Sequence, residues 1–164
     1  MTFSSFIPYG RQDISQDDID AVVSVLCSEF LTQGPKVPAF EASVAAHTGA
    51  AYAIAANSAT SALHIACMAL GVGPGDVVWT VPTTFVASAN CALYCGASVD
   101  FVDIDLETFN MCVKALEEKL KLAELNGKLP KIVMPVHFAG QSCDMVSISE
   151  LAKKYGFRVI EDGS

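Results

Sequence analysis

Along residues 15–30 apolar side chains return at Ile19, Val22, Val23, Leu26 and Phe30, the three-and-four spacing of one helical face. Ser15 ahead of Asp17 and Asp18 supplies a capped start, with acids near the positive end of the helix dipole. "LTQGPKVP" then breaks the period with Gly34, Pro35 and Pro38, which predicts a loop, and a second helix runs from about Ala39 through His47 to stop at Gly49. Beyond this point the pattern alternates. "AYAIAAN" (51–57) reads as a short buried strand and "SATSALHIACMALG" as a helix ending at Gly71. "DVVWTV" (76–81), "SVDFVDI" (98–104), "KIVMPV" (131–136) and "FRVIED" (157–162) are further strands, with helices through "FVASANCALYC" and over 112–125 and 146–155. Strand and helix in alternation predict an α/β layer fold with a mostly parallel sheet and flanking helices.

Composition narrows the partners. Hydrophobic residues make up 52 % and charged ones 17 %, so the chain buries a real core. A net charge of -8, with arginine only at 11 and 158, excludes a nucleic-acid partner, because phosphate backbones demand clustered cations. No apolar run reaches membrane-spanning length and no signal-peptide pattern opens the sequence, so no membrane partner and a cytoplasmic location are expected. The six cysteines (27, 67, 91, 95, 112 and 143) form no CxxC pair, and His47, His64 and His137 are equally dispersed. That spacing points to small buried thiols rather than a zinc site.

In parallel sheets, ligands bind beyond the carboxyl ends of the strands. Those ends carry Asn57 to Thr60, then Thr80 to Phe85, Asp103 and Asp105, His137 to Gln141, and Glu161 to Ser164. "NSATSALH" sets small residues at a strand-to-helix turn, where free N–H groups suit a phosphate; simple capping by Asn57 or Ser58 is the alternative. "GVGPGD" (71–76) follows a helix and precedes a strand, the reverse of the dinucleotide fingerprint, and is a helix stop with a turn. Phe85 is either core or a flat platform for a ring. Asp162, led by two apolar residues, is a buried carboxylate that needs a partner. Neither arginine is evidently placed to serve, and a ligand cation would do.

"LTQGPKVPAFE", "NSATSALH", "TTFVASANCALYCGASVDFVDID", "HFAGQ" and "VIED" together resemble the DegT-type sugar-nucleotide aminotransferases, fold-type I enzymes that use pyridoxal 5′-phosphate. The opening "YGRQDISQDDIDAV…LTQGPKV" and "NSATSALH" are most similar to the transaminases of pseudaminic acid synthesis, which act on a UDP-linked 4-keto-6-deoxy-acetamido sugar. The resemblance implies that Ala59 and Thr60 bind the cofactor phosphate, Phe85 stacks on the pyridine, and Asp162 pairs with the pyridinium nitrogen. It further implies that His137 and Gln141 line the cofactor or substrate pocket, that glutamate is the amino donor, and that the full-length protein is a homodimer.

The family's Schiff-base lysine lies downstream of the "ED" strand, whereas all eight lysines here precede Asp162. They are expected mostly on solvated faces, and none is assigned a catalytic role. By resemblance, residues 1–164 are the N-terminal part of the cofactor-binding large domain, without the small C-terminal domain and inactive alone. Other readings are a transaminase for bacillosamine or perosamine, a non-catalytic sensor or regulatory relative, and a flavodoxin-like or receiver-type domain. The last would carry its acids after the first strand, where Asn57 and Ser58 stand.

Overall fold

A computed structural model describes residues 10–163; Tyr9 of the opening motif and Ser164 of the last strand tip lie outside the described residues. The chain divides into two compact units that meet in sequence at residues 55 and 56.

The first unit carries helices α1 (Gln16–Leu26) and α2 (Lys36–Thr48). Ser15 caps α1 reciprocally: its hydroxyl accepts the Asp18 N–H and the Asp18 carboxylate accepts the Ser15 N–H at 2.8 Å. The apolar stripe forms as the spacing predicts, and Ile19, Val22, Val23 and Leu26 stand exposed. α2 starts three residues earlier than expected, because Pro38 falls in its first turn, where a missing N–H costs no helical bond. Gly49 ends it in the left-handed region at φ 73°. The strand expected at 51–57 is absent. Its residues join no ladder among the described residues, and the Ala55 N–H donates instead to the Glu41 carboxylate at 2.8 Å.

The second unit is a four-stranded parallel sheet in the order β2-β1-β3-β4. Its strands are β1 (Val77–Thr80), β2 (Ser98–Phe101), β3 (Ile132–Val133) and β4 (Arg158–Val159), and its helices are α3 (Ala59–Ala69), α4 (Ala87–Tyr94), α5 (Val113–Leu125) and α6 (Met145–Tyr155). The regular ladders of β3 and β4 are shorter than the apolar runs. Pro135 has no N–H to give, yet its carbonyl accepts the Asp162 N–H at 3.0 Å and one further parallel bridge joins Val136 to Asp162. The two chains therefore stay side by side up to the acidic tip.

Alternation along the strands sorts the core into two layers. Val78, Ile132, Met134 and Ile160 face α3 and α4, packing on Leu63, Cys67, Ala87, Cys91 and Ala92. Trp79, Val81 and Val133 face α5 and α6, packing on Leu116, Leu120, Ile148, Leu151 and Tyr155. Each fully buried leucine or isoleucine contributes roughly 1.5–3 kcal/mol. The chain leaves β1 through α4 towards β2, and leaves β3 through α6 towards β4 on the opposite face. Neighbours β1 and β3 thus part company at their carboxyl ends, which is the switch point where such sheets open a crevice. The Thr80 hydroxyl bridges the two strands just below it, donating to the Met134 carbonyl at 3.0 Å.

Candidate functional site

Every candidate residue belongs to the second unit and to the carboxyl edge of its sheet. α3 runs into β1 through the turn at 71–76, so its N-terminus lies at that edge. Ser58 caps it, accepting the Ser61 N–H at 3.2 Å. Capping and anion binding are both open to this turn, because the N–H groups of Ala59 and Thr60 bond no group among the described residues. The turn that feeds β1 is itself stapled: Lys131 bonds the Asp76 carboxylate at 2.8 Å and the Gly71 carbonyl. Lys119 is likewise engaged, with Asp100 at 2.7 Å and over the Trp79 ring at 4.7 Å. Both lysines are half-buried structural cations rather than the solvated ones the sequence suggested.

Phe85 lies between β1 and α4 and is 73 % exposed, which settles its alternatives against core. Asp162, 3 % exposed, is buried as its apolar lead predicts. A partner is the hydroxyl of Ser88, in the first turn of α4, which donates to Oδ2 at 2.6 Å. Thr84 Oγ1 lies 2.7 Å from Ser88 Oγ. Ser88 has one proton, and the carboxylate at 2.6 Å outcompetes the Phe85 carbonyl at 3.2 Å, so Thr84 is the donor to Ser88. A directed relay, Thr84 to Ser88 to Asp162, results. The positive end of α4 faces the same carboxylate.

His137 follows β3 and donates its N–H to the Asp162 carbonyl at 2.9 Å. Its ring is fully engaged. Nδ1 accepts the Cys143 N–H at 3.2 Å, so the ring proton sits on Nε2, which reaches Glu161 Oε2 at 3.0 Å. The consecutive acids Glu161 and Asp162 thus point to different surroundings, one exposed and one buried. Gln141 is exposed, and its carbonyl is held by Asn110 Nδ2 at 3.1 Å. Asp103 and Asp105 serve their own loop: Asp105 Oδ1 accepts the N–H groups of Thr108 and Glu107 and the Thr108 hydroxyl, and these bonds hold its carboxyl below the usual range.

Ser88, Phe85, His137 and Asp162 are therefore linked by direct hydrogen bonds or immediate chain connection, while Ala59 and Thr60 share their edge through the packing of α3 on α4. Sequence reasoning missed Ser88 and Asn110. Ser88 gave one signal, a small hydroxyl inside a mostly apolar helix, since a buried hydroxyl requires a partner. Of the thiols, Cys67, Cys91 and Cys143 are buried as expected and Cys27 is exposed.

The chain is 43 % identical over 159 residues to the spore coat polysaccharide biosynthesis protein SpsC of Bacillus subtilis, covering 97 % of this chain and 39 % of that protein. It is 37 % identical over 161 residues to the UDP-4-amino-4-deoxy-L-arabinose–oxoglutarate aminotransferase of Shewanella sediminis, covering 98 % and 40 % respectively. Helicobacter pylori PseC, an aminotransferase involved in the biosynthesis of pseudoaminic acid, superposes with a TM-score of 0.86 at 31 % identity, over 96 % of this chain and 41 % of that one. The chain thus spans about two fifths of the length of these relatives. The DegT/DnrJ/EryC1/StrS aminotransferase family matches residues 12–164, and the chain belongs to that family.

Proposed function

We propose that this chain supplies the cofactor-anchoring part of a pyridoxal 5′-phosphate-dependent aminotransferase that aminates C4 of a nucleotide-linked keto sugar. The observation that carries the reading is Asp162, a carboxylate buried at the switch point and aimed by the Ser88 hydroxyl. The residues present fit that cofactor chemically. An acceptor at Asp162 suits the N–H of a protonated pyridine, the N–H groups of Ala59 and Thr60, which bond no group among the described residues, suit a phosphate, and the Phe85 ring offers an aromatic face. When bound, the cofactor supplies an electron sink that carries an amino group between two carbonyl compounds.

The chain's own residues bind and orient. Asp162 holds the pyridine end and keeps its proton in place, Ala59 and Thr60 hold the phosphate end, and His137 and Gln141 line the opening. The ring nitrogens of His137 are already bonded, so it contributes shape rather than proton transfer. Within the substrate class, the UDP-linked 4-keto-6-deoxy-acetamido sugar of the pseudaminic type is the first choice, supported by the likeness to PseC. Glutamate is the amino donor, supported by the oxoglutarate in the name of the Shewanella relative. A UDP-4-keto pentose is the second reading, favoured by that same relative. The full-length protein is proposed as a homodimer and this chain as part of its large domain.

The test is to incubate the full-length protein with pyridoxal phosphate, glutamate and each 4-keto sugar, following oxoglutarate release and the sugar's mass. Amination of one sugar with matching oxoglutarate supports the reading. No amine from any 4-keto sugar, with cofactor bound, sinks the substrate assignment.

A further inference from the structure

The buried carboxamide of Asn110 makes three hydrogen bonds to one short stretch of backbone 28–32 residues away. Oδ1 accepts the Phe138 N–H at 2.9 Å, and Nδ2 donates to the carbonyls of Gln141 and Ser142, both at 3.1 Å. The residue is only 4 % exposed, and its own backbone is pinned as well, because its carbonyl accepts the Asp105 N–H at 2.8 Å.

What it grips is strained. Ala139 sits at φ 53° and Gly140 at φ 81°, so the 137–142 turn passes through the left-handed region twice, once with a residue that carries a Cβ. Such a conformation persists only where its surroundings hold it. Phe109, beside Asn110, is itself at φ 59°, and its ring meets that of Phe138 at 6.2 Å. Amide and ring therefore engage the same turn from the loop that follows β2.

We propose that Asn110 is a positioning residue for the site: its carboxamide fixes the 137–142 turn so that Gln141 and His137 present themselves to the crevice beyond β3. This rests on the reading of that crevice as the cofactor site. Asn110 touches neither reacting group and acts through the turn. Asparagine is suited to the task because one acceptor and two donors are required at once; aspartate has the same shape but would turn an acceptor towards two carbonyls.

The experiment uses the full-length protein with pyridoxal phosphate as probe, comparing wild type, Asn110→Asp, Asn110→Ala, Gln141→Ala and Asn110→Asp/Gln141→Ala. Amide hydrogen exchange at Phe138 and Gln141 reports the turn. Expected is exchange faster by about tenfold or more in both Asn110 variants, with Asn110→Asp still melting cooperatively, at a lower midpoint than wild type. The cofactor dissociation constant should rise about tenfold in Asn110→Asp but less than about twofold when Gln141 is already alanine. Unchanged exchange overturns the clamp. Faster exchange with unchanged cofactor affinity, or with fully additive losses, overturns the positioning role. A wild-type protein that binds no pyridoxal phosphate fails earlier and differently, because it overturns the cofactor reading and the positioning role together.

Discussion

Ser88 and Asp162, 74 residues apart, are joined by a 2.6 Å hydrogen bond between the first turn of α4 and the end of the last strand. The contact couples the helix that follows β1 to the carboxylate that follows β4, across both strands of the switch point. Thr84 completes the relay from the loop side. Replacing Ser88 by alanine removes one donor to a buried carboxylate, and a hydrogen bond to a charged group is worth about 1.5–3 kcal/mol. Ser88→Ala is expected to lower the unfolding free energy by that amount and to weaken pyridoxal phosphate binding about tenfold, while Ser88→Thr keeps most of both. Denaturant titration and cofactor absorbance check the pair; an unaltered Ser88→Ala would mean the contact is incidental.

Asp162→Asn separates charge from shape. The amide still accepts the Ser88 hydroxyl but no longer offers a negative partner to a pyridine N–H. Turnover of the full-length protein should fall by at least about a hundredfold with the fold intact. Near-normal turnover with a native melt would remove Asp162 from its proposed role.

Leu116 and Leu120 lie one helical turn apart on α5, and both are completely buried in the layer containing Trp79 and Val133. Leu116→Ala or Leu120→Ala should each cost about 2–5 kcal/mol, read as a lower urea midpoint at constant slope. Leu125→Ala, at the 84 % exposed end of the same helix, should lie within about 0.5 kcal/mol of wild type.

Acid should loosen the loops before it melts the core. Asp76 is held below the usual carboxylate range by its bond to Lys131, Asp105 by the Thr108 and Glu107 N–H groups, and Asp144 by Ser147. A carboxyl depressed in the folded state adds stability that is complete above its unfolded value of about 3.9 and is lost as pH falls through the folded one. Asp105→Asn should therefore be less stable than wild type at neutral pH, with the gap narrowing below about pH 4. A gap that is constant with pH would show that the charge is not what Asp105 contributes.

Thiol titration of the native protein should find Cys27 reacting first, and Cys67, Cys91 and Cys143 only on unfolding. Burial explains the delay for the first pair; the contact at 3.7 Å together with desolvation pushes the Cys67 thiol up and the same contact draws Cys91 down, so for Cys91 the delay rests on inaccessibility alone. Burial likewise pushes up Cys143. Rapid modification of either buried cysteine of the pair would contradict the packing of α3 on α4.

Most helices and the parallel strands 77–80, 98–101, 132–133 and 158–159 were legible because their signals are local, whereas the order β2-β1-β3-β4 was not, since no local signal says which strand lies beside which. Ser15 with Asp18, Gly49, and the near-continuous apolar runs at 77–81 and 132–136 each act within a few residues. Two departures have one origin, which is that a local signal does not say what lies alongside. "AYAIAAN" has the composition of a strand but no ladder, and Pro38 looks like a breaker but occupies the one turn where a proline is harmless. The site was legible in part for the same reason. Asp162 announced its burial through its apolar lead, and Phe85 its place by following a strand. Ser88 and Asn110 act on residues 74 and 28–32 positions distant, and no periodicity encodes such a pairing. Likewise nothing near His137 in sequence encodes that Cys143 and Glu161 occupy both of its ring nitrogens.

The divergence of β1 and β3 also bears on how such a protein can change. Each wall of the crevice comes from a separate stretch of chain, and none of these walls contributes a rung to the regular strand ladders. Insertions or exchanges in the 81–86, 103–111 or 137–142 segments can therefore accumulate one wall at a time while the sheet's pairing register stays as it is. The scaffold is free to hold the proposed anchor at Asp162 constant and let the shape around it drift towards a new ligand.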